Sequence, residues 1–202
     1  MSLNISMETM DIDPMIYNSI VKWYSDPLNM SKFVDIMQNK NISLRIYNWF
    51  VTNYAKSHDC KFKHTKNGVT RLVIVYHEYL ANCKAYHKEW FDPICRSKNK
   101  VNCITIDTVY NNKNITIKTS AAQLCFFRWI IDNGIDQYIK FHIEEIKADI
   151  FEYIDKVKNG KIVPKRGRSS ASEDSYNCIQ SIDMKSLEEF TDNGLESISE
   201  SI

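Results

Sequence analysis

The chain has 202 residues, of which 44% are hydrophobic and 12% aromatic, and its formal net charge is +1. This length is enough for one domain with its own core, and the aromatic content excludes a wholly disordered chain. No run of 18 apolar residues occurs, so no membrane-spanning helix is predicted. Residues 1–15 contain no basic segment followed by an apolar one, so we predict no secretory signal, and the six cysteines are predicted to be reduced thiols.

The charge is divided unevenly along the chain. Residues 169–202 contain eight acidic side chains and one lysine and carry −7, which leaves +8 on residues 1–168. A basic body is typical of proteins with a negatively charged partner, and an acidic tail can compete with that partner for the body. An AT-rich genome, which enriches Lys, Asn and Ile, explains the same composition without a partner.

Short amphipathic helices are predicted for the first third of the chain. Residues 1–12 are predicted to be a flexible arm, and Asp13-Pro14 opens a helix that ends at Asp26-Pro27. A second helix is predicted over 29–38, and Ser43 is a suitable N-cap for a third. The buried stripe of the third helix is predicted to consist of Ile46, Trp49, Phe50 and Tyr54.

A first β-hairpin is predicted around Lys66-Asn67-Gly68, because Asn-Gly tolerates the positive φ of a tight turn. Its strands are residues 60–65 and 70–75. A long helix is predicted over roughly 72–90. This range overlaps the second strand, which is therefore either a strand or the first turn of the helix. Asp92-Pro93 then ends the helix.

A second hairpin and two further helices are predicted for the rest of the folded body. The hairpin joins 103–108 to 115–118, and Ser120 caps a nearly all-apolar helix that we expect at the centre of the core. Asn133-Gly134 ends this helix. The last helix, 135–157, has Ile or Val at alternating steps of four and three residues. These residues form a narrow apolar stripe, which is expected to pack on one neighbouring helix, either within the chain or in a dimer.

These patterns predict a single, mostly helical α+β domain of about five to six helices and two β-hairpins. The domain is expected to span 13–158, between the flexible arm and a disordered, Ser-rich acidic tail at 159–202. In the middle of the central helix, Arg128 is expected to pair with a carboxylate such as Asp132 one turn on.

Two motifs carry a resemblance to a known family. The first is an aromatic corner with Asp-Pro, Cys and Arg at Tyr86–Arg96, and the second is a Gln-Leu-x-Phe-Phe-Arg-Trp helix at Thr119–Gly134. Over residues 43–150 the chain resembles uncharacterised proteins of nucleocytoplasmic large DNA viruses. The resemblance implies a viral origin and a place in the virion or the host cytoplasm, and it implies no activity or catalytic residue.

The segment 56–100 contains ten Lys or Arg and four acids, a local excess of +6. Basic side chains neutralise phosphates, and an aromatic side chain stacks on unpaired bases. We assign Tyr86, Trp90 and Phe91 to packing, with Arg96 paired to Asp92 as one alternative. The candidate nucleic-acid-binding residues are Lys61, Lys63, Lys66, Lys88, Arg96, Lys98 and Lys100.

Catalytic and metal chemistry are not predicted. The sequence lacks a Gly-rich phosphate loop, a Gly-x-Ser-x-Gly motif and a His-Glu-x-x-His motif. A zinc site is the alternative for His58-x-Cys60-x3-His64 and for Cys83-x3-His87 with Cys95, but no Cys-x2-Cys pair is present and these ligands would have to converge from different elements. We therefore expect a non-enzymatic viral accessory or virion protein without cofactor or metal that binds DNA or RNA. The alternative is a protein–protein interaction or structural virion component that self-associates through helix 135–157.

Overall fold

The computed structural model of the chain describes residues 4–7, 13–87, 90–94 and 104–161. Its fold is α+β and mostly helical, as the sequence predicts. The chain divides into two compact units, Met1–Ile146 and Lys147–Ile202. The division falls inside the last helix, and the predicted boundary of the tail at residue 159 stays a prediction.

Two Asp-Pro pairs begin the first two helices. In α1 (Pro14–Tyr24) and α2 (Pro27–Gln38), the preceding Asp13 and Asp26 each accept a hydrogen bond from the backbone N–H two residues on, at 2.7 and 2.8 Å. Proline at the first helical position lacks an N–H that would have no partner within the helix. The second helix begins two residues before the predicted start because Asp26 caps it.

The third predicted helix contains a local change of winding. It runs as α3 (Leu44–Trp49), a π-helical turn (Phe50–Tyr54) and α4 (Ala55–Ser57). Its predicted apolar stripe is buried. Ser43 occupies the N-cap position, but its side chain makes no capping hydrogen bond. Inside the π-helical turn, the Thr52 hydroxyl donates to the backbone carbonyl four residues earlier at 2.6 Å.

The first hairpin consists of β2 (Lys61–Lys66) and β3 (Val69–Ile74), which pair antiparallel. Asn67 and Gly68 between them both have positive φ, at 52° and 78°, as the Asn-Gly pair predicts. Helix α5 (Val75–Ala85) follows directly. The segment up to residue 74 is therefore a strand, and the helix is shorter at both ends than the predicted 72–90.

The second hairpin, β4 (Ile104–Tyr110) and β5 (Lys113–Thr119), carries a third strand, β1 (Asn4–Met7). The strand order is β1-β4-β5, and β1 pairs antiparallel with β4. Residues 4–7 of the predicted flexible arm are thus ordered. The hairpin leaves one edge of β4 with unpaired backbone N–H and C=O groups, and β1 satisfies them.

The central helix α6 (Ala121–Asp132) lies in the core, as predicted. The Ser120 side chain caps it by accepting the Gln123 N–H at 3.3 Å, and the Tyr24 hydroxyl donates to the Leu124 carbonyl at 2.9 Å. Its fully buried members include Leu124, Phe126, Phe127 and Ile130. Across the described ranges, no helix combines the length and the apolar composition needed to cross a membrane.

The predicted helix 135–157 is two helices, α7 (Ile135–Phe141) and α8 (Ile143–Lys158), separated at His142. The backbone of His142 has φ −105° and ψ 21°, outside the helical region. The apolar spacing of four and three continues through the break, so periodicity could not reveal it. Ile135, Ile139 and Ile146, all in the first unit, are 0% exposed.

Candidate nucleic-acid interface

The β2–β3 hairpin turns alternate side chains to opposite faces, and its inner face packs on the junction of α6 and α7. The Phe62 ring stacks on Tyr138, with centroids 4.8 Å apart and planes 16° from parallel. The His64 ring lies against Gly134, where an added Cβ would be 2.4 Å from Nδ1. Two features favour glycine at position 134: the His64 ring leaves no room for a Cβ, and the backbone φ is +67°.

Lys66, at the end of β2, also points inward. Its Nζ lies 2.5 Å from the carboxylate of Asp132, the last residue of α6. Asp132 also accepts the Trp23 indole N–H at 3.2 Å and lies 3.8 Å from Arg128 Nε, so the predicted Arg128–Asp132 pair is confirmed. Lys66 is therefore committed to a tertiary ion pair and is not on the same face as the other candidate lysines of β2.

Arg71 of β3 forms the second polar attachment of the inner face. Its guanidinium makes two hydrogen bonds to the Glu78 carboxylate, at 2.7 and 3.0 Å, and another to the Asn133 side chain. Burial raises the pKa of Glu78, but the Arg71 hydrogen bonds, its charge and the Ile74 N–H outweigh burial and lower that pKa. The carboxylate is thereby kept ionised and holds β3 against the first turn of α5.

The outer face of the hairpin is open to solvent. Lys61, Lys63 and Thr65 alternate with the inner residues of β2, and each lies opposite an outward residue of β3. The Thr65 and Thr70 hydroxyls are hydrogen-bonded at 2.7 Å, and Leu72 is 50% exposed. We call this surface the outer ribbon face; it consists of Lys61, Lys63, Thr65, Thr70, Leu72 and Ile74.

Two lysines near the start of β2 have close neighbours. Lys61 Nζ is 2.5 Å from the Asp59 carboxylate; this hydrogen bond and the lysine charge lower the pKa of Asp59, with a smaller contribution from nearby His77. The Lys56 ammonium lies over the Tyr76 ring, 5.5 Å from its centroid. Residues 55–85, which include the hairpin, contain six Lys or Arg and two acids.

The structure brings together two of the predicted nucleic-acid-binding residues, Lys61 and Lys63, on the outer ribbon face. Lys66 is turned away from them. The remaining predicted residues, Lys88, Arg96, Lys98 and Lys100, lie outside the described ranges. Lys56, which the cation count of the segment includes, lies over the Tyr76 ring of α5.

Trp90 and Phe91, the two described aromatic residues at the end of the corner, pack in the core as assigned. Trp90 and Phe91 are 7% and 1% exposed, and the Phe91 ring lies 5.7 Å from both the Tyr86 and the Trp129 ring. The Asp92 carboxylate accepts the Ile94 N–H at 3.0 Å. The alternative pair between Asp92 and Arg96 falls outside the described residues.

The cysteines and histidines that were considered for zinc have separate surroundings. The His58 ring stacks on Tyr54 at 4.0 Å, His64 lies on Gly134, and Cys60 contacts the Tyr138 hydroxyl at 3.9 Å. Burial raises the pKa of the Cys60 thiol. Within the described part of the chain, no three His, Cys, Asp or Glu side chains are grouped so that they could hold a metal ion.

Residues 8–195 match a family of unknown function, DUF7197. The chain belongs to this family. It is also 31% identical over 174 residues to an uncharacterised protein of Acanthamoeba polyphaga mimivirus, a match that covers 86% of this chain and 62% of the relative. The chain thus spans less than two thirds of the relative's length. The predicted membership of an uncharacterised giant-virus protein family is confirmed, and no solved structure matches the chain.

Proposed function

We propose that this chain is a non-enzymatic viral accessory protein that binds nucleic acid, in the virion or in the host cytoplasm. The observation that carries the proposal is the shared direction of Lys61 and Lys63 on the outer ribbon face, opposite the anchored residues of β2. A phosphate backbone is the complementary surface for such a group of cations.

The lysines of the outer ribbon face are available to phosphate. Lys63 has no ion-pair partner among the residues that the structure describes. The side chains of Lys61 and Asp59 are 54% and 72% exposed, and an ion pair so well solvated contributes little to stability. Lys61 can therefore exchange Asp59 for a phosphate at small cost. The backbone that carries both lysines is held by the contacts of Phe62, Lys66 and Arg71 on the inner face.

The test is a fluorescence-anisotropy titration of the full-length chain with labelled DNA and RNA at several salt concentrations. Each phosphate contact contributes about 0.9 to the slope of log K against log salt for duplex DNA. We therefore expect the double variant Lys61→Gln/Lys63→Gln to lose up to about 2 from this slope. The matched control is Lys32→Gln/Lys40→Gln, which removes two exposed lysines from α2 and its C-terminal turn.

The control variant should keep the slope of the wild-type chain. Absence of salt-dependent binding by the wild-type chain to every DNA and RNA probe would refute the proposal. An equal loss in the two double variants would show that only the total charge matters and would refute the role of the outer ribbon face.

A second candidate is a protein–protein interaction or structural virion component. Ile135, Ile139 and Ile146 of the predicted stripe are buried inside the first unit, so they are not available to a second copy. Phe141, at the end of α7, is 84% exposed, the most exposed large apolar residue among those that the structure describes, and it is the position that a second copy would cover. If light scattering finds an oligomer, Phe141→Ser should dissociate it; a monomeric wild-type chain would remove the self-association form of this candidate.

A further inference from the structure

We infer that the partner of the outer ribbon face is double-stranded DNA, with the β2–β3 ribbon lying in the major groove. The inference rests on the proposed function and narrows it from nucleic acid in general to B-form DNA. Four features of the hairpin carry it: its dimensions, its open tip, the chemistry of its outer side chains and the direction of its aromatic residue.

The ribbon has the size of a major-groove reader. Each strand has six residues, about 20 Å at roughly 3.4 Å per residue, and the two strands are about 4.8 Å apart. The major groove of B-form DNA is about 12 Å wide and admits a two-stranded β-ribbon. A ribbon of this length spans about half a turn of the duplex.

The tip of the ribbon is open. Asn67 and Gly68 are exposed, and a Cβ built on Gly68 would meet no atom within 4 Å. Val69, the first residue of β3, is 69% exposed. Nothing among the described residues covers the tip, so the ribbon can enter a groove without a rearrangement of its turn.

The outer ribbon face combines the three kinds of group that read base edges. Lys61 and Lys63 can donate to guanine O6 and N7 or to phosphate, and Leu72 offers an apolar contact for a thymine methyl group. The hydrogen bond between Thr65 and Thr70 uses one hydroxyl proton and leaves the other hydroxyl group's proton for a base or a phosphate. Leu72 is also half exposed in the free chain, and a partner would cover it.

The same face lacks what single-stranded nucleic acid requires. Proteins that bind single strands stack successive bases on aromatic side chains. The only aromatic ring on the β2–β3 strands apart from the His64 imidazole is Phe62, and it is turned inward onto Tyr138. Double-stranded RNA does not fit either, because the major groove of A-form RNA is too deep and narrow for protein side chains to read.

The experiment compares three labelled probes of equal length and sequence: duplex DNA, single-stranded DNA and duplex RNA. We expect the full-length chain to bind duplex DNA at least tenfold more tightly than the other two at the same salt concentration. Bound protein should protect guanine N7, which lies in the major groove, from methylation by dimethyl sulfate. Guanine outside the bound site in a longer duplex is the internal control.

Leu72→Ala supplies a test that does not depend on charge. We expect it to weaken duplex DNA binding about three- to tenfold and to leave the salt slope unchanged. The matched control is Met15→Ala, which shortens a more exposed apolar side chain on α1. Circular dichroism and a thermal melt of each variant would identify a folding defect, and Leu72→Thr, which keeps the strand propensity, replaces Leu72→Ala if the latter unfolds.

The outcomes separate this inference from the proposed function. Binding of single-stranded DNA or duplex RNA that equals duplex DNA, or an absence of N7 protection, would overturn the major-groove inference and leave nucleic-acid binding in place. Absence of binding to all three probes would overturn both. Equal effects of Leu72→Ala and Met15→Ala would also count against the outer ribbon face as the contact.

Discussion

The imidazole of His64, on β2, lies directly against the backbone of Gly134, between α6 and α7. A Cβ at Gly134 would be 2.4 Å from His64 Nδ1 and 2.7 Å from Cε1. Any other residue at position 134 would therefore force the His64 ring to move. The close approach is one of the contacts that link the inner face of the ribbon to the core, beside those of Phe62, Lys66 and Arg71.

Gly134→Ala should lower the free energy of unfolding by about 2–4 kcal/mol. This total combines the cost of a left-handed backbone at a non-glycine residue, about 1–2 kcal/mol, with the steric clash between the new Cβ and the His64 ring. The measurement is urea unfolding followed by circular dichroism. Gly68→Ala is the matched control, since Gly68 also has positive φ, at +78°, but open space around it. Similar losses in the two variants would contradict the packing of His64 on Gly134.

Lys66→Gln should change the stability of the chain, whereas Lys63→Gln should change the salt dependence of its DNA binding. Lys66 pairs with Asp132 on the inner face, so its replacement should lower the free energy of unfolding by about 0.5–1 kcal/mol, a value discounted because the lysine is half exposed. It should leave the salt slope of DNA binding unchanged. Lys63→Gln should reduce that slope and leave stability unchanged. Urea unfolding and anisotropy on both variants check this, and an equal change of slope would refute the assignment of the two faces.

The Glu78–Arg71 attachment predicts a pH dependence of stability. The pKa of Glu78 is lower in the folded chain than its ordinary value of 4.5. The stabilisation is therefore fully present above the unfolded-state pKa and is lost as the pH falls through the lower, folded-state value. Unfolding free energies measured between pH 6 and pH 3 should fall less steeply in Glu78→Gln than in the wild-type chain. Parallel pH profiles would show that Glu78 does not carry this linkage.

Phe91→Ala should cost about 3–5 kcal/mol, as for other buried aromatic residues, because the ring is 1% exposed and contacts Tyr86 and Trp129. Phe141→Ala is the matched control, and with 84% of that residue exposed its effect should stay within about 0.5 kcal/mol. Thermal or urea unfolding measures both. A small effect of Phe91→Ala would reopen the interpretation of Tyr86–Arg96 as a recognition surface.

Local signals in the sequence predicted most of the helices and strands. Asp13-Pro14, Asp26-Pro27 and Asn67-Gly68 act within a few residues, through capping, a missing N–H and positive φ, so their effect does not require the rest of the fold. The apolar content of α6 likewise predicted its central position. The break at His142 was not predictable, since the apolar period of the helix runs through it.

Long-range pairing lay beyond these local signals. The strand at residues 4–7 exists because β4, about 100 residues later, offers a free edge, and four residues alone carry too little pattern to be assigned. The same holds for Asp132, which was predicted to pair with Arg128 one turn away. That it also receives Lys66 and Trp23 depends on where α1 and the hairpin pack.

The sequence by itself determined that this chain is a mostly helical α+β protein of a giant-virus family with a local excess of positive charge over residues 56–100. Composition, period and turn residues are sufficient for that, because each acts locally or as a sum over the chain. Only the tertiary structure decided which lysines share a surface. Strand alternation separates Lys63 from Lys66, but it is the packing of Phe62, His64 and Lys66 on α6 and α7 that makes one side inner and leaves Lys61 and Lys63 to solvent.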